Sequence, residues 1–474
     1  MLPPKHRTLY MHILLLLILL LTALPLSVGA QDSVDTPAVD TGTEQLPVDE
    51  LPVEEEEQIH QLFLPLVSIV ATPRETVIPD QYIVVFKEDM VSASSVSAIA
   101  AEMASQYGGE VLQAYDAALQ GFAARFPSET GADVATQLQN DARVAYVEQD
   151  GIAYGDQEAT PYGKDPFAQP EMTVDAASTE EVKVVDDTAT IDTVQTAPVW
   201  GLDRNDQRYL PLNNIYIYFK TGAGVRAYII DSGIRIAHSE FGGRALNGYD
   251  AVDGKLPADD CHGHGTHVAG TVGGKTYGVA KAVTLIAVRV LGCDNKGSYS
   301  NIIAGVNWVT NQKRLAPTVP MVANMSLGGL ASSALDTAVY NSINAGVVYV
   351  VSAGNDNKPA CNYSPARTAG TITVGATDTT DTRASFSNYG ACVDIFAPGV
   401  SIKSAGRTSN TATATMSGTS MSAPHVTGVV ALYLHGTPGA TPATVRTTIF
   451  SVSTANIVKS PGTGSSNRLV YNPY

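Results

Sequence analysis

A serine set among small residues, Met416-Ser417-Gly418-Thr419-Ser420-Met421-Ser422-Ala423-Pro424-His425-Val426, runs straight into the apolar stretch Thr427-Gly428-Val429-Val430-Ala431-Leu432-Tyr433. The pattern predicts a hydroxyl at the N-terminus of a buried helix, where backbone N–H groups face developing negative charge. Small neighbours leave room for a carbonyl to approach Ser420, and Pro424 suits a first helical turn, in which a missing N–H costs nothing. The chemistry that fits is nucleophilic attack by Ser420. A plain Ser/Gly loop ahead of a core helix is the competing reading.

Three further residues could complete such a site. Asp231 follows the strand-like run Arg226-Ala227-Tyr228-Ile229-Ile230, which sets its carboxylate at the end of a strand; alone it reads equally as a turn or cap residue. His264 lies in Asp260-Cys261-His262-Gly263-His264-Gly265-Thr266-His267-Val268-Ala269-Gly270, ahead of a small-residue helix. Three histidines, a cysteine and an aspartate so close could instead hold zinc, but the glycines and Thr266 break the usual ligand spacings and no His-Glu-x-x-His occurs. Asn355, in Ser352-Ala353-Gly354-Asn355-Asp356, could donate its amide to an oxyanion or sit in a turn.

The elements that must position these residues alternate from Trp200 onward. Short β-rich runs at 225–230, 283–290, 318–324, 347–351 and 372–374 are separated by helical segments, the signature of a parallel sheet with helices on both faces. Asp231 and Asn355 then fall at strand carboxyl ends, where open α/β sheets form their sites. Upstream, residues 80–154 read as βαββαβ, a small ferredoxin-like unit. Its strands are 82–86, 111–115, 121–126 and 144–147. Val96, Ile99, Ala100, Met103 and Tyr107 keep helical spacing, and 129–138 reads as a second helix. A free-standing binding domain is the alternative for this unit.

With 474 residues, two or three units are expected. Residues 1–30 read as a secretory signal, with basic Lys5-His6-Arg7, a leucine-rich run from Met11 to Leu24, and small residues Val28-Gly29-Ala30. An uncleaved anchor is the alternative, but Pro25 interrupts a run already short of the roughly 20 apolar residues a span needs. Residues 31–79, acidic and Pro-rich, and residues 155–194, acidic and polar, read as disordered linkers, which leaves 195–474 as the second folded unit. Residues 1–196 hold 32 acidic and 8 basic side chains, whereas 197–474 hold 14 acidic and 21 basic. So small a basic surplus excludes a nucleic-acid footprint and suggests an acidic N-terminal part docked on a basic C-terminal part. Cys261, Cys293, Cys361 and Cys392 behind a signal favour two disulfides. Nearest-neighbour pairing would close loops of 32 and 31 residues, and three connectivities stay open.

The order Asp231, His264, Ser420 is the one subtilisin uses for a Ser-His-Asp constellation; α/β-hydrolases place serine first, and Gly418-x-Ser420-x-Ser422 lacks the closing glycine of their elbow. With it occur Trp200-Gly201-Leu202-Asp203-Arg204, Tyr249-Asp250-Ala251, Val279-Ala280-Lys281-Ala282-Val283, Ala323-Asn324-Met325-Ser326-Leu327-Gly328-Gly329, Cys361-Asn362-Tyr363-Ser364-Pro365 and Ser385-Phe386-Ser387-Asn388-Tyr389-Gly390. On these residues the chain resembles the secreted subtilisin-like serine proteases of the proteinase K group, the aqualysin-like ones above all, over 195–471. Residues 80–154 resemble, more loosely, the inhibitory prosegment of that family.

The resemblance implies an α/β fold with a subtilisin-like parallel sheet flanked by helices. It implies Ser420 as nucleophile, His264 as general base and then acid, Asp231 as its orienting partner, and Asn355 with the Ser420 N–H as oxyanion hole. Peptide would add as a strand between Gly297-Ser298-Tyr299 and Ser326-Leu327-Gly328. An uncharged S1 pocket walled by 326–329 and Ser352-Ala353-Gly354 would favour an apolar or aromatic P1; Ser352 and Ser422 stand where the family usually has alanine. The resemblance also implies the disulfides Cys261–Cys293 and Cys361–Cys392. It implies structural calcium at Asp203, Asp206, Gln207 and Asn213, and at Asp394 with the backbone oxygens of Ala369 and Thr371. What is expected is a monomeric extracellular endopeptidase of proteins and peptides, with no nucleic-acid partner and no membrane association once the signal is removed. Its own prosegment would serve as chaperone and inhibitor, released by two cuts. One cut near Tyr154 would leave Gly151-Ile152-Ala153-Tyr154 in the cleft with an aromatic P1, and one near Val194 would remove the linker. A peptide-binding pseudoprotease is the rival, and the intact set Asp231, His264, Ser420 and Asn355 speaks against it.

Overall fold

The structure, a computed structural model, describes residues 76–155 and 193–474. The expected signal and nearly all of both linkers lie outside the described residues; the last residues of the first, 77–79, expected as linker, are the start of a strand.

The first unit has the expected order βαββαβ: β1 (Val77–Phe86), α1 (Val96–Gln106), β2 (Glu110–Tyr115), β3 (Gly121–Arg125), α2 (Gly131–Gln139) and β4 (Val144–Gly155). Its antiparallel strands run in the order β4-β1-β3-β2. Alternation along β1 sets the two faces to different work. Tyr82, Val84 and Phe86 pack with Val96, Met103 and Leu138 of the unit's own helices, while Ile83 and Val85 join a cluster made mostly by the second unit.

The second unit begins at β5 (Thr193–Thr196), which pairs antiparallel with β6 (Ile215–Tyr218); the expected boundary at Gln195 therefore falls inside a strand. Between these two strands lies the short helix α3 (Trp200–Asn205). The principal strands are β7 (Arg226–Asp231), β8 (Ala245–Asp250), β9 (Thr284–Arg289), β11 (Met321–Met325) and β13 (Val348–Ser352). Two short strands between them line a cleft, β10 (Lys296–Ser298) and β12 (Leu327–Leu330). The nine-stranded sheet runs β8-β9-β7-β11-β13 and continues through Ile372–Thr377, Ile395–Pro398 and Arg468–Leu469, parallel throughout until the last, antiparallel pairing with Thr454–Ala455.

Both sheet faces are covered, as near-continuous apolar strands require. Ala227, Ile229, Leu285, Val322 and Val350 face α4 (His264–Gly273), α7 (Thr419–Gly436) and α8 (Pro442–Val452). Tyr228, Ile230, Ile286, Ala323 and Val351 face α5 (Tyr299–Leu315) and α6 (Ser333–Asn344). The first unit docks on this second layer. The disulfides are Cys261–Cys293 and Cys361–Cys392, which decides among the three connectivities, and each closed loop is worth roughly 3 to 4 kcal/mol on a chain-entropy model.

Candidate active site

β7 ends in Asp231, whose carboxylate is wholly buried. Its Oδ1 accepts the Nδ1–H of His264 at 2.7 Å and the N–H of Ser232 at 2.7 Å. A carboxylate only accepts, so the imidazole proton sits on Nδ1 and Nε2 is the basic nitrogen. His264 opens α4, and that helix end is aimed by Asp260. Asp260 Oδ1 takes the N–H groups of His262 and Gly263 and the hydroxyl of Ser232, while Oδ2 takes the N–H and hydroxyl of Thr266. Ser232 Oγ in turn accepts the Gly265 N–H at 3.0 Å. A side chain on Gly265 would collide with the Gly233 carbonyl, so only glycine lets the helix come this close to Asp231.

This geometry does not suit zinc. Cys261 is in a disulfide, Asp260 is committed to N–H and hydroxyl donors, and His267 Nε2 pairs with the Ile402 carbonyl at 2.9 Å. Burial pushes His267 down to about 3 and His425 down to about 4, so both are neutral structural groups.

Ser420 is the second residue of α7 and is buried. Its Oγ donates to the Ser326 carbonyl at 3.0 Å, and Ser326 Oγ donates back to the Ser420 carbonyl at 2.9 Å. Pro424 is not in the first turn, as expected, but is the sixth helical residue. Its missing N–H deprives the Ser420 carbonyl of a helical donor, and the Ser326 hydroxyl supplies one instead. Asn355 follows β13; its Oδ1 accepts from the N–H and the hydroxyl of Thr419, both at 2.9 Å, which leaves Nδ2 as the donating end. Asn388 holds this loop, donating to the Ala353 carbonyl and accepting from the Asp356 and Lys358 N–H groups. Gly354, at φ 98°, takes a turn that a side chain would strain.

The cleft beside Ser420 holds the end of β4 as an inserted strand. Ile152, Ala153 and Tyr154 pair antiparallel with Ser298, Gly297 and Lys296; Tyr154 and Gly155 pair with Gly328 and Leu327. Gly155 donates to the Asn295 carbonyl at 2.9 Å, and the Asn295 amide returns a bond at 3.1 Å. Tyr299, expected beside the added strand, opens α5, with its ring against Gly151 and its hydroxyl on the Leu330 carbonyl at 2.5 Å. Tyr154, expected to end the tail, is paired on both sides with its ring 5.7 Å from Lys296 Nζ, and the strand continues to Gly155. Ser326, the next position on the catalytic side of that register, carries the carbonyl that Ser420 Oγ touches.

Residues 222–471 match the family model described as the subtilase family, and residues 81–154 match that of the peptidase inhibitor I9. The chain is a subtilase. The extracellular serine proteinase of Thermus sp. (strain Rt41A) is 48% identical over 414 residues, 84% of this chain and 90% of that relative. The alkaline serine exoprotease A of Vibrio alginolyticus is 44% identical over 412 residues, 85% of this chain and 69% of that one. The crystal structure of a cold adapted subtilisin-like serine proteinase matches at 49% identity with a TM-score of 0.56, over 59% of this chain and all of that one. The chain is thus a subtilisin-type serine peptidase preceded by an inhibitory prosegment.

The subtilase grips its prosegment through helix ends. Glu148 accepts from the Ser332 hydroxyl and from the Ser333 and Ala334 N–H groups at the start of α6. Asp150 accepts the Ser300 N–H at 3.1 Å at the start of α5. Asn307 Oδ1 receives three N–H groups from Asp116, Ala117 and Ala118. Among the described residues no ion pair crosses this interface; its charged contacts are the two carboxylates on helix N-termini, the Arg314 guanidinium on the Asp116 and Ala117 carbonyls, and Lys296 over the Tyr154 ring. None of these partners was legible: each acidic residue and its helix lie at least 150 positions apart. Asp260 could have been found, as an aspartate ahead of a helix start.

The two expected calcium sets differ. Asp206 Oδ2 accepts the Ile217 N–H at 2.7 Å, but its buried Oδ1 has no hydrogen-bond partner. Burial, opposed by that N–H and reinforced by the Asp203 charge, raises Asp206 to about 7. Gln207 Nε2 donates to Asp203 Oδ1 and, at 3.3 Å, to Asn213 Oδ1, and the Asn213 and Asn214 N–H groups donate to Asp203; carboxylate and amide oxygens of the kind calcium prefers thus gather here with only uncharged donors on the two carboxylates. At the second set, Arg446 donates to Asp394 Oδ1 and to the Thr371 carbonyl, and Ala369 is exposed. That arrangement does not fit calcium. Ser352 and Ser422 are buried, each with a hydroxyl that has no hydrogen-bond partner.

Proposed function

We propose that this subtilase is a secreted, monomeric endopeptidase that hydrolyses proteins and peptides through an acyl-enzyme and is made as a self-inhibited precursor. Asp231 holds the His264 tautomer, so Nε2 can take the Ser420 proton and later return it to the leaving amine. For this the Ser420 hydroxyl swings from the Ser326 carbonyl, which a substrate N–H can claim in its place. Asn355 Nδ2 and the Ser420 N–H stabilise the oxyanion. Substrate main chain adds between Gly297-Ser298 and Leu327-Gly328, as the prosegment tail does. The S1 walls, 326–329 and 352–354, carry no charge, so apolar or aromatic P1 residues are favoured loosely. Asp203, Asp206, Gln207 and Asn213 would hold a calcium ion whose role is to stabilise the fold.

The inserted strand carries this reading. One register step beyond Gly155 reaches Ser326, so the first cut falls after Asp156 rather than at Tyr154; cutting in cis needs little help from the P1 side chain because the bond is held in place. A second cut falls ahead of Thr193, because β5 is integral to the catalytic unit: Gln195 is buried, bonded to the Thr276 carbonyl and to Lys281. Intact mass of the secreted chain over time tests both. Fragments ending at Asp156 and an active form starting upstream of Thr193 are expected; an active enzyme that retains the whole linker sinks the two-cut scheme.

A further inference from the structure

We infer that Arg446 is the resident cation of the Asp394 site, a guanidinium standing where the family resemblance would put calcium. Arg446 lies in the middle of α8, whose start is capped by Thr441 and whose buried residues Val445 and Ile449 fix the helix on the core. From there Nη2 reaches Asp394 Oδ1 at 2.5 Å and Nε reaches the Thr371 carbonyl at 3.0 Å. The other carboxylate oxygen, Oδ2, already accepts the Thr373 N–H at 3.0 Å. The guanidinium rests on the Phe450 ring, 4.7 Å from its centroid and one helical turn along, so the side chain is held on both faces of its reach.

Calcium coordinates six to eight oxygens at about 2.3–2.6 Å. Of the four oxygens on offer, two are bonded to a permanent positive charge and a third to a backbone N–H, and a divalent ion at bonding distance from the first two would sit on top of that charge. Arginine suits the replacement because its planar fork serves a carboxylate and a carbonyl at once and stays charged at every working pH. The Asp206 site is the counterexample in the same molecule. One Asp206 oxygen is buried and unpartnered, and the hydrogen-bond partners of Asp203 and Asp206 among the described residues are N–H groups and the Gln207 amide, none of them basic. One anchor of the fold is thereby independent of the calcium supply and the other is not.

The test uses the full chain with Ser420→Ala, so that it cannot digest itself, and reads calcium per chain by equilibrium dialysis and Tm in calcium and in chelator. Adding Arg446→Thr is expected to lower Tm in chelator, to add one bound calcium per chain, and to make Tm rise by roughly 5 °C more on calcium addition than the parent does. No added ion in a folded Arg446→Thr chain overturns the inference. If that variant fails to accumulate, the parent decides: Arg446→Lys and Asp394→Asn should leave its calcium count unchanged, and loss of one ion in Asp394→Asn overturns the inference as well.

Discussion

The catalytic unit buries both faces of its sheet against its own helices, whereas the prosegment buries one face on α1 and α2 and gives the other to α5 and α6 of its neighbour. Ile83, Val85, Tyr115, Leu119 and Ala153 are at most 5% exposed only because the catalytic layer covers them. The first arrangement makes a scaffold rigid enough to hold an Asp-His pair at 2.7 Å. The second makes a passenger whose order depends on the scaffold and which can be discarded once its covalent link is cut.

The sharpest break between the two is covalent. Ser420→Ala should reduce kcat by roughly 10⁴ to 10⁶ and leave prosegment and catalytic unit joined in one chain. Peptide turnover and intact mass measure both effects, and activity within tenfold of the parent would remove Ser420 from its role.

Next in size is acid sensitivity, which should belong to the catalytic unit. His267 and His425, lowered to about 3 and about 4, are neutral in the fold, while the unfolded chain takes up protons near the ordinary value of 6.5. The unfolded state therefore binds more protons below about pH 6.5, and stability falls as pH drops from there towards 3 to 4. The slope is roughly 1.4 kcal/mol per pH unit for each histidine. Denaturant unfolding of the Ser420→Ala chain between pH 7 and 5 should show it, and His425→Gln should remove about half.

The grip on the passenger is smaller. Glu148→Ala and Asp150→Ala each leave helix N–H groups without their charged acceptor, worth about 1.5 to 3 kcal/mol and so roughly 10- to 100-fold in the inhibition constant of the prosegment. Turnover by the mature enzyme should not change. Equal inhibition by parent and variant prosegments would show that the apolar face alone holds the complex.

How much of this was legible follows from what each feature depends on. Asp231, His264, Ser420 and Asn355 could be placed because each lies at the end of a periodic segment, and the βαββαβ order because hydrophobic period marks strands and helices locally. The role of Pro424 was not, since it turns on a bond from Ser326 to the Ser420 carbonyl, two residues 94 positions apart. Glu148, Asp150 and Arg446 were equally hidden: a carboxylate or guanidinium on a surface position reads as solvated until the partner element arrives. The tail register was half legible: the paired segments were expected, but which residue pairs with which was not, because a strand's end cannot be read without its partner.

The smallest effect concerns the catalytic core alone and tests whether it is as self-sufficient as the comparison requires. Ser422 Oγ is buried in α7, packed against Gly399, with no hydrogen-bond partner. A hydroxyl desolvated without compensation costs about 1 to 3 kcal/mol, and deleting one oxygen leaves a hole smaller than a methyl group. Ser422→Ala should therefore stabilise the catalytic unit by about 1 kcal/mol, a rise of roughly 2–4 °C in Tm for a unit of this size, with kcat/KM unchanged. The prosegment's affinity should not move, because α7 packs on the sheet face away from it. A fall in Tm would mean that the hydroxyl has a partner, an ordered water bridging to the 399 loop, and that the core of the scaffold is wetter than its apolar strands imply.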